Sequence, residues 1–172
     1  MSPRLATSIT LSFILSSSTV IAGPTTLVSV KSQNKQSNGA SSDPSASDTG
    51  QFIAFVSLAT NLAKPCNNGA NQIFVRDRTA GTITCVSVNS NGKQSDQDSH
   101  APAISPDGRF VAFDSAATNL TGDKCDNGFN HIFVRDRTAG TITCVSVNSD
   151  GKQGNQNSHA PAISSDGRFV AF

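Results

Sequence analysis

The chain has no Trp and no Tyr. Stacking platforms for single-stranded nucleic acid draw on such rings, so that class of ligand is not expected. Charge is scarce as well, at 15 % of residues against about a quarter in ordinary domains. Neither sign dominates, with 13 Lys and Arg against 12 acidic residues. No basic surplus supports nucleic-acid binding, and no acidic surplus suggests a solvating tail. No G-x-S-x-G elbow, P-loop, HExxH or dinucleotide fingerprint occurs, so no catalytic and no cofactor-binding residue is assigned. No CxxC or HxxxH spacing occurs either, so zinc is not expected and no metal-binding residue is assigned. What fills the space is Ser, Thr, Asn and Gly, with ten Phe. That composition disfavours helical bundles and suits strands joined by many turns. With 172 residues there is room for one domain.

Residues 1–22 read as an export signal. Arg4 precedes a mostly uncharged stretch that ends in Val20-Ile21-Ala22, small residues at the positions signal peptidase requires. A retained membrane anchor is the rival reading. Ser16, Ser17, Ser18 and Thr19 interrupt the stretch and make it poor for a span of roughly 20 residues. After cleavage no integral membrane segment remains, and the mature chain 23–172 is expected in the periplasm or outside the cell.

The chain repeats itself. His100-Ala101-Pro102-Ala103-Ile104-Ser105 returns from His159 to Ser164, and Ile73-Phe74-Val75-Arg76-Asp77-Arg78 returns from Ile132 to Arg137. The offset is 59 residues, falling to 58 between Val28–Leu62 and their later copies. Self-similarity at this period signals a solenoid, propeller or array. Each copy divides into four strand-like pieces, which in the second copy cover 101–105, 109–115, 131–137 and 141–147. Ser105-Pro106-Asp107-Gly108 suits a type I turn. Phe110-Val111-Ala112-Phe113 is apolar on both faces, as a strand covered on both sides must be. Thr138-Ala139-Gly140 makes a hairpin that the Asp136 carboxylate can cap. Four antiparallel strands in sequence order, repeated, predict an all-β fold of β-propeller blades. Shorter solenoid repeats carry fewer strands.

SPDGRFVAF (105–113), SSDGRFVAF (164–172) and IFVRDRTAGTITCVSVNS resemble the TolB-type, PD40 (WD40-like) propeller repeats of bacterial secreted and periplasmic proteins. The likeness covers nearly all of 25–172. The first copy departs from it, because Asp48-Thr49-Gly50 lacks the Pro-Asp-Gly order, and its turn is expected to differ. The resemblance implies a non-catalytic platform for a protein or other macromolecule, or else the propeller domain of an exported hydrolase, a peptidase or glycan-acting enzyme.

The strands are an outer strand at 25–30, blades at 44–88 and 102–147, and a half blade at 161–172. That makes eleven, or about 2.75 blades, where a ring needs at least about four. Pairing two copies head to tail would still leave one blade without its third strand. The sequence stops at Phe172 inside a core strand without a polar cap. We therefore expect a fragment of a longer reading frame.

Four Cys in an exported chain point to disulfides. Three pairings are open. Cys66 and Cys85 are 19 apart, as are Cys125 and Cys144, which favours one bridge within each blade. Pairing around Ala139 would set Cys144 opposite Val134, so the loop bearing Cys125 must fold back over the strand edge. The alternative is that Cys85 and Cys144 are small buried residues and the loop cysteines are free.

His100 and His159 share a repeat position held by Ser42 in the first copy, and are read as turn or strand-start residues. His131 replaces Gln72, which argues against a shared ligand role. Asp123-Lys124-Cys125-Asp126-Asn127-Gly128 looks like half a calcium loop, but Cys125 takes a ligand position and no bidentate Glu follows, so a plain turn is expected. The Arg pairs 76/78 and 135/137 are expected in ion pairs between blades or with the hairpin turn. Asn119-Leu120-Thr121 is a formal glycosylation acceptor. The loops at 116–130 and 148–158 are expected to carry partner contact.

Overall fold

The computed structural model describes residues 25–31, 35–122 and 124–172. The segment read as an export signal lies outside the described residues. Ten strands occur among them and no helix. No helix there is long and apolar enough to cross a membrane.

The first four-stranded sheet comprises β1 (Ser41–Ala46), β2 (Phe52–Ser57), β3 (Gln72–Asp77) and β4 (Thr82–Cys85). The second comprises β5 (Ser99–Ile104), β6 (Phe110–Ser115), β7 (His131–Asp136) and β8 (Thr141–Cys144). A two-stranded sheet follows, β9 (Ala162–Ile163) with β10 (Val170–Ala171). Within each sheet neighbours in space are neighbours in sequence, and every pair is antiparallel. Each four-stranded sheet is therefore a meander.

The sheets pack face to face because their central strands are apolar on both sides. Successive side chains alternate faces. Ala54, Val56, Ile73 and Val75 of the first sheet thus meet Val111, Phe113 and Phe133 of the second in one core. The opposite side of the first sheet, with Phe55 and Phe74, closes over Leu62, Cys66 and Val28. Phe74, Phe113 and Phe133 are fully buried. Each contributes roughly 2–3 kcal/mol by leaving water. Paired rings sit at 6.0 Å (Phe55–Phe74) and 5.9 Å (Phe113–Phe133).

β8 stops at Cys144, short of its expected end at 147, and three further details differ from the sequence reading. First, β1 and β5 begin earlier than expected, at Ser41 and Ser99. Asp43 and Ala101, each just before a Pro, adopt φ of 50° and 48°, and pairing skips across them to Ser45 and Ala103. Proline has no N–H for the ladder, so the bulge hides the true strand start. Second, the outer strand expected at 25–30 is represented only by an isolated bridge from Val30 to Gln36, matched by Val88–Gln94 and Val147–Gln153. Third, the first-copy turn does not differ. Gly50 N–H donates to Ser47 O at 2.8 Å, as Gly108 N–H does to Ser105 O at 2.8 Å. A glycine at φ 66° preserves the turn without the Pro-Asp pair.

Candidate functional site

The two ends of the blades are built differently. At one end lie the tight β1–β2 and β5–β6 turns and the β3–β4 and β7–β8 hairpins. Asp136 Oδ1 accepts the N–H groups of Thr138 and Ala139 at 2.9 and 3.0 Å, capping its hairpin. Arg109 Nη2 reaches Asp136 Oδ2 at 2.7 Å. That contact, then the hairpin N–H groups, brings the Asp136 carboxyl from its ordinary 3.8 to about 2. The other Arg residues do not form the expected ion pairs. Arg135 donates to Val88 O at 3.1 Å and Asn89 O at 3.2 Å, across the junction between blades. Arg76 does the same with Val30 O at 3.2 Å. Arg137 donates to Gly108 O and covers the Phe52 ring at 4.9 Å. These guanidinium groups are spent on backbone carbonyls and a ring, so they are not free for an anionic ligand.

The other end carries the long loops. The β6–β7 loop, 116–130, is clamped on both sides. Asn119 Nδ2 donates to Gln94 O at 2.9 Å, and its Oδ1 accepts the Asp96 N–H at 3.2 Å. Thr118 N–H and hydroxyl bind the Asp96 carboxylate at 2.9 and 2.8 Å. These bonds fasten the loop to the connection that precedes its blade. Asp126 N–H donates to Gln153 Oε1 at 2.9 Å, and Asn127 Nδ2 to Gly154 O at 2.8 Å, fastening it to the connection that follows. The first copy repeats the scheme through Asn61, Asn67 and Asn68. The amide of Asn119 in the glycosylation motif is therefore occupied structurally. Short Asn and Gln side chains substitute here for ladder bonds that irregular backbone cannot make. The result is one continuous polar rim. It includes a cleft of about 540 Å³ lined by Asn89, Asn91, Asn119, Leu120, Lys124 and Ile142. Phe129 stands 37 % exposed on the loop, where the first copy has Ala70.

Beneath the rim sit the cysteines. Cys66 is joined to Cys85 and Cys125 to Cys144, with Cα atoms 6.0 and 6.5 Å apart. No free cysteine occurs among the described residues. Cys144 stands opposite Phe133, not Val134. The hairpin pairs Asp136 with Thr141, which shifts the register by one and moves Cys144 to the other face. The loop then crosses that face. His131 is fully buried there, with Nδ1 2.9 Å from Ser146 Oγ and Nε2 2.7 Å from Asn127 Oδ1. Burial lowers its pKa, against the pull of Asp126. Gln72 fills the same place in the first copy, accepting from Ser95 Oγ at 2.8 Å and also bonded to Ser87 Oγ.

His159 Nδ1 lies 3.7 Å from Asp114 Oδ2, and the buried Asp114 also accepts the Ala160 N–H at 3.4 Å. His100 pairs opposite Asp114 in the β5–β6 ladder. In the first copy Ser42 and Val56 hold these places. Of the acidic half-loop, Asp123 lies outside the described residues, and Asp126 is engaged with Gln153.

No known family profile matches the chain, and no curated protein matches its sequence. Solved structures do. A TolB-type protein from Agrobacterium tumefaciens superposes with a TM-score of 0.50 at 16 % identity, over 76 % of this chain and 37 % of that one. The fold is a β-propeller. The propeller domain of the Trilobed protease from Pyrococcus furiosus gives 0.49 at 19 % identity, over 77 % and 33 %. TolB from Acinetobacter baumannii gives 0.44 at 18 %, over 77 % and 26 %. The chain thus spans only a quarter to somewhat over a third of these propeller-containing structures.

Proposed function

We propose that this propeller segment is a non-catalytic binding module of an exported protein, and that its long-loop rim receives a protein or other macromolecule. The carrying observation is the double clamping of the 116–130 loop through Asn119, Asp126 and Asn127. Loops ordered before contact lose less entropy on binding. Phe129, exposed among these polar groups, supplies an apolar anchor of the kind that dominates interface energetics. The two disulfides fit an oxidising compartment and support export.

The test is a pull-down from the exported fraction of the source cells, followed by affinity measurement with the captured partner. Phe129→Ala should weaken binding roughly tenfold or more. Thr79→Ala, exposed on the β3–β4 hairpin at the opposite end, should leave it unchanged. Binding insensitive to Phe129 and to the loop clamps, or mapped to the short-turn end, would overturn the reading.

A further inference from the structure

The disulfide of the second blade has a third member that the first blade lacks. The Sγ atoms of Cys125 and Cys144 and a ring nitrogen of His131 all lie within 4.8 Å of one another, and all three residues are buried. The register explains why. His131 and Phe133 share one face of β7, Cys144 lies opposite Phe133, and Ser146 follows two residues on.

The imidazole is also held as a metal ligand would be. Asn127 Nδ2 donates to Gly154 O at 2.8 Å, which leaves Oδ1 as the atom facing His131 Nε2 at 2.7 Å. Nε2 therefore carries the proton and donates to a carbonyl oxygen. Nδ1 keeps its lone pair, toward the hydroxyl of Ser146. A metal-bound histidine makes this same pairing, one nitrogen on the ion and the other N–H on an oxygen acceptor. Ser146 Oγ lies 2.9 Å from Nδ1 and 3.5 Å from Cys144 Sγ, so a single polar group separates the two donors.

We propose that, in its thiol form, the second blade binds one soft divalent cation such as Zn²⁺ through Cys125, His131 and Cys144. The disulfide is then the metal-free, oxidised state of the same site. A dithiol reductant supplies two electrons and two protons, becoming a cyclic disulfide while the Cys125–Cys144 bond breaks to two thiols. The cation then displaces both thiol protons and takes the lone pair of neutral His131. Two thiolates and a divalent ion leave no net charge, which suits a buried site. Three protein ligands leave one tetrahedral position for water or the Ser146 hydroxyl. Separation of the sulfurs on reduction opens the space the ion needs. The first blade is the internal control, because Gln72 offers an amide where His131 offers a nitrogen lone pair.

The experiment uses the full chain, reduced with a dithiol, freed of it anaerobically and titrated with Co²⁺. One equivalent should bind, with the visible bands of tetrahedral cobalt, thiolate charge transfer, and release of two protons. Zn²⁺ should displace it. His131→Gln should weaken binding roughly tenfold or more, and removal of Cys66 and Cys85 should leave it unaltered. Far-UV circular dichroism guards against an unfolded reduced chain: refolding that requires both Co²⁺ and His131 supports the site. Absence of the tetrahedral spectrum, equal binding at Cys66 and Cys85, or tight binding by the His131→Gln chain would overturn it.

Discussion

The ring of Phe52 lies over Gly108, across the junction between the first and second blades, so close that a Cβ on Gly108 would overlap it. Phe110 meets Gly167 in the same way, one blade on. The glycine of each turn thus serves twice, once for its φ of 74° or 71° and once for the flat surface it offers the preceding blade. Gly108→Ala should cost about 3 kcal/mol, combining left-handed strain with overpacking. Gly92→Ala has a φ of 79° and open space, and should cost only about 1 kcal/mol. Urea unfolding of the two variants checks this, and equal losses would remove the packing role.

Asp136 titrates near 2 because Arg109 and two hairpin N–H groups hold its charged form. Its folded pKa lies below its ordinary 3.8, so its stabilisation is present above that value and lost as pH falls toward about 2. Gln51 stands in the Arg109 position in the first copy, bonded to Asp77 at 3.3 Å. Arg109→Gln should raise the Asp136 pKa part of the way toward 3.8 and flatten the acid limb of thermal stability between those values. Carboxyl NMR titration reads this residue by residue. An Asp136 pKa unmoved by the substitution would mean the hairpin N–H groups act alone.

Removing the Asn119 amide leaves the Asp96 N–H and the Gln94 carbonyl without their loop partner. Asn119→Ala should loosen the loop by about 1–2 kcal/mol. The Asp96 amide should lose hydrogen-exchange protection while Phe113 in β6 keeps its own. Uniform loss across the blade would mean the clamp supports the whole core.

Each disulfide closes a separation of 19 residues. Replacing Cys66 and Cys85 by Ser should cost about 3 kcal/mol on the chain-entropy account. Denaturant midpoints of the paired variants, measured without reductant, test it; a loss below 1 kcal/mol would mean the unfolded chain is already compact there.

Blade architecture was legible because the 59-residue period is written in strands whose apolar runs leave no other packing. β6 and β7 fall within a residue of their expected bounds. What escaped was local. The bulge at Ala101 puts an alanine at a positive φ, which no propensity for alanine suggests. The turn at Gly50 keeps its form because glycine, not Pro-Asp, is the indispensable residue. The register of β7 with β8 turns on one residue of hairpin length, and that residue decides whether Cys144 shares a face with His131. Spacing rules could not find the Cys125–His131–Cys144 group, since its members come from a loop and two strands. The substitution of His for Gln72 was the available signal, and only the correct register gives it meaning.

Gln94 belongs to two blades at once. Its side-chain oxygen takes the Asn67 N–H from the blade before it, and its backbone carbonyl takes Asn119 from the blade after it. Gln153 repeats the first of these bonds with Asp126. The stitching therefore has the same period as the sequence. A duplication or excision of one whole period hands every loop an equivalent partner, whereas a cut at half a period orphans the amides on both sides. Arrays stitched in this way can lengthen or shorten by recombination without inventing a new contact, and the unit on which such changes act is the junction between blades.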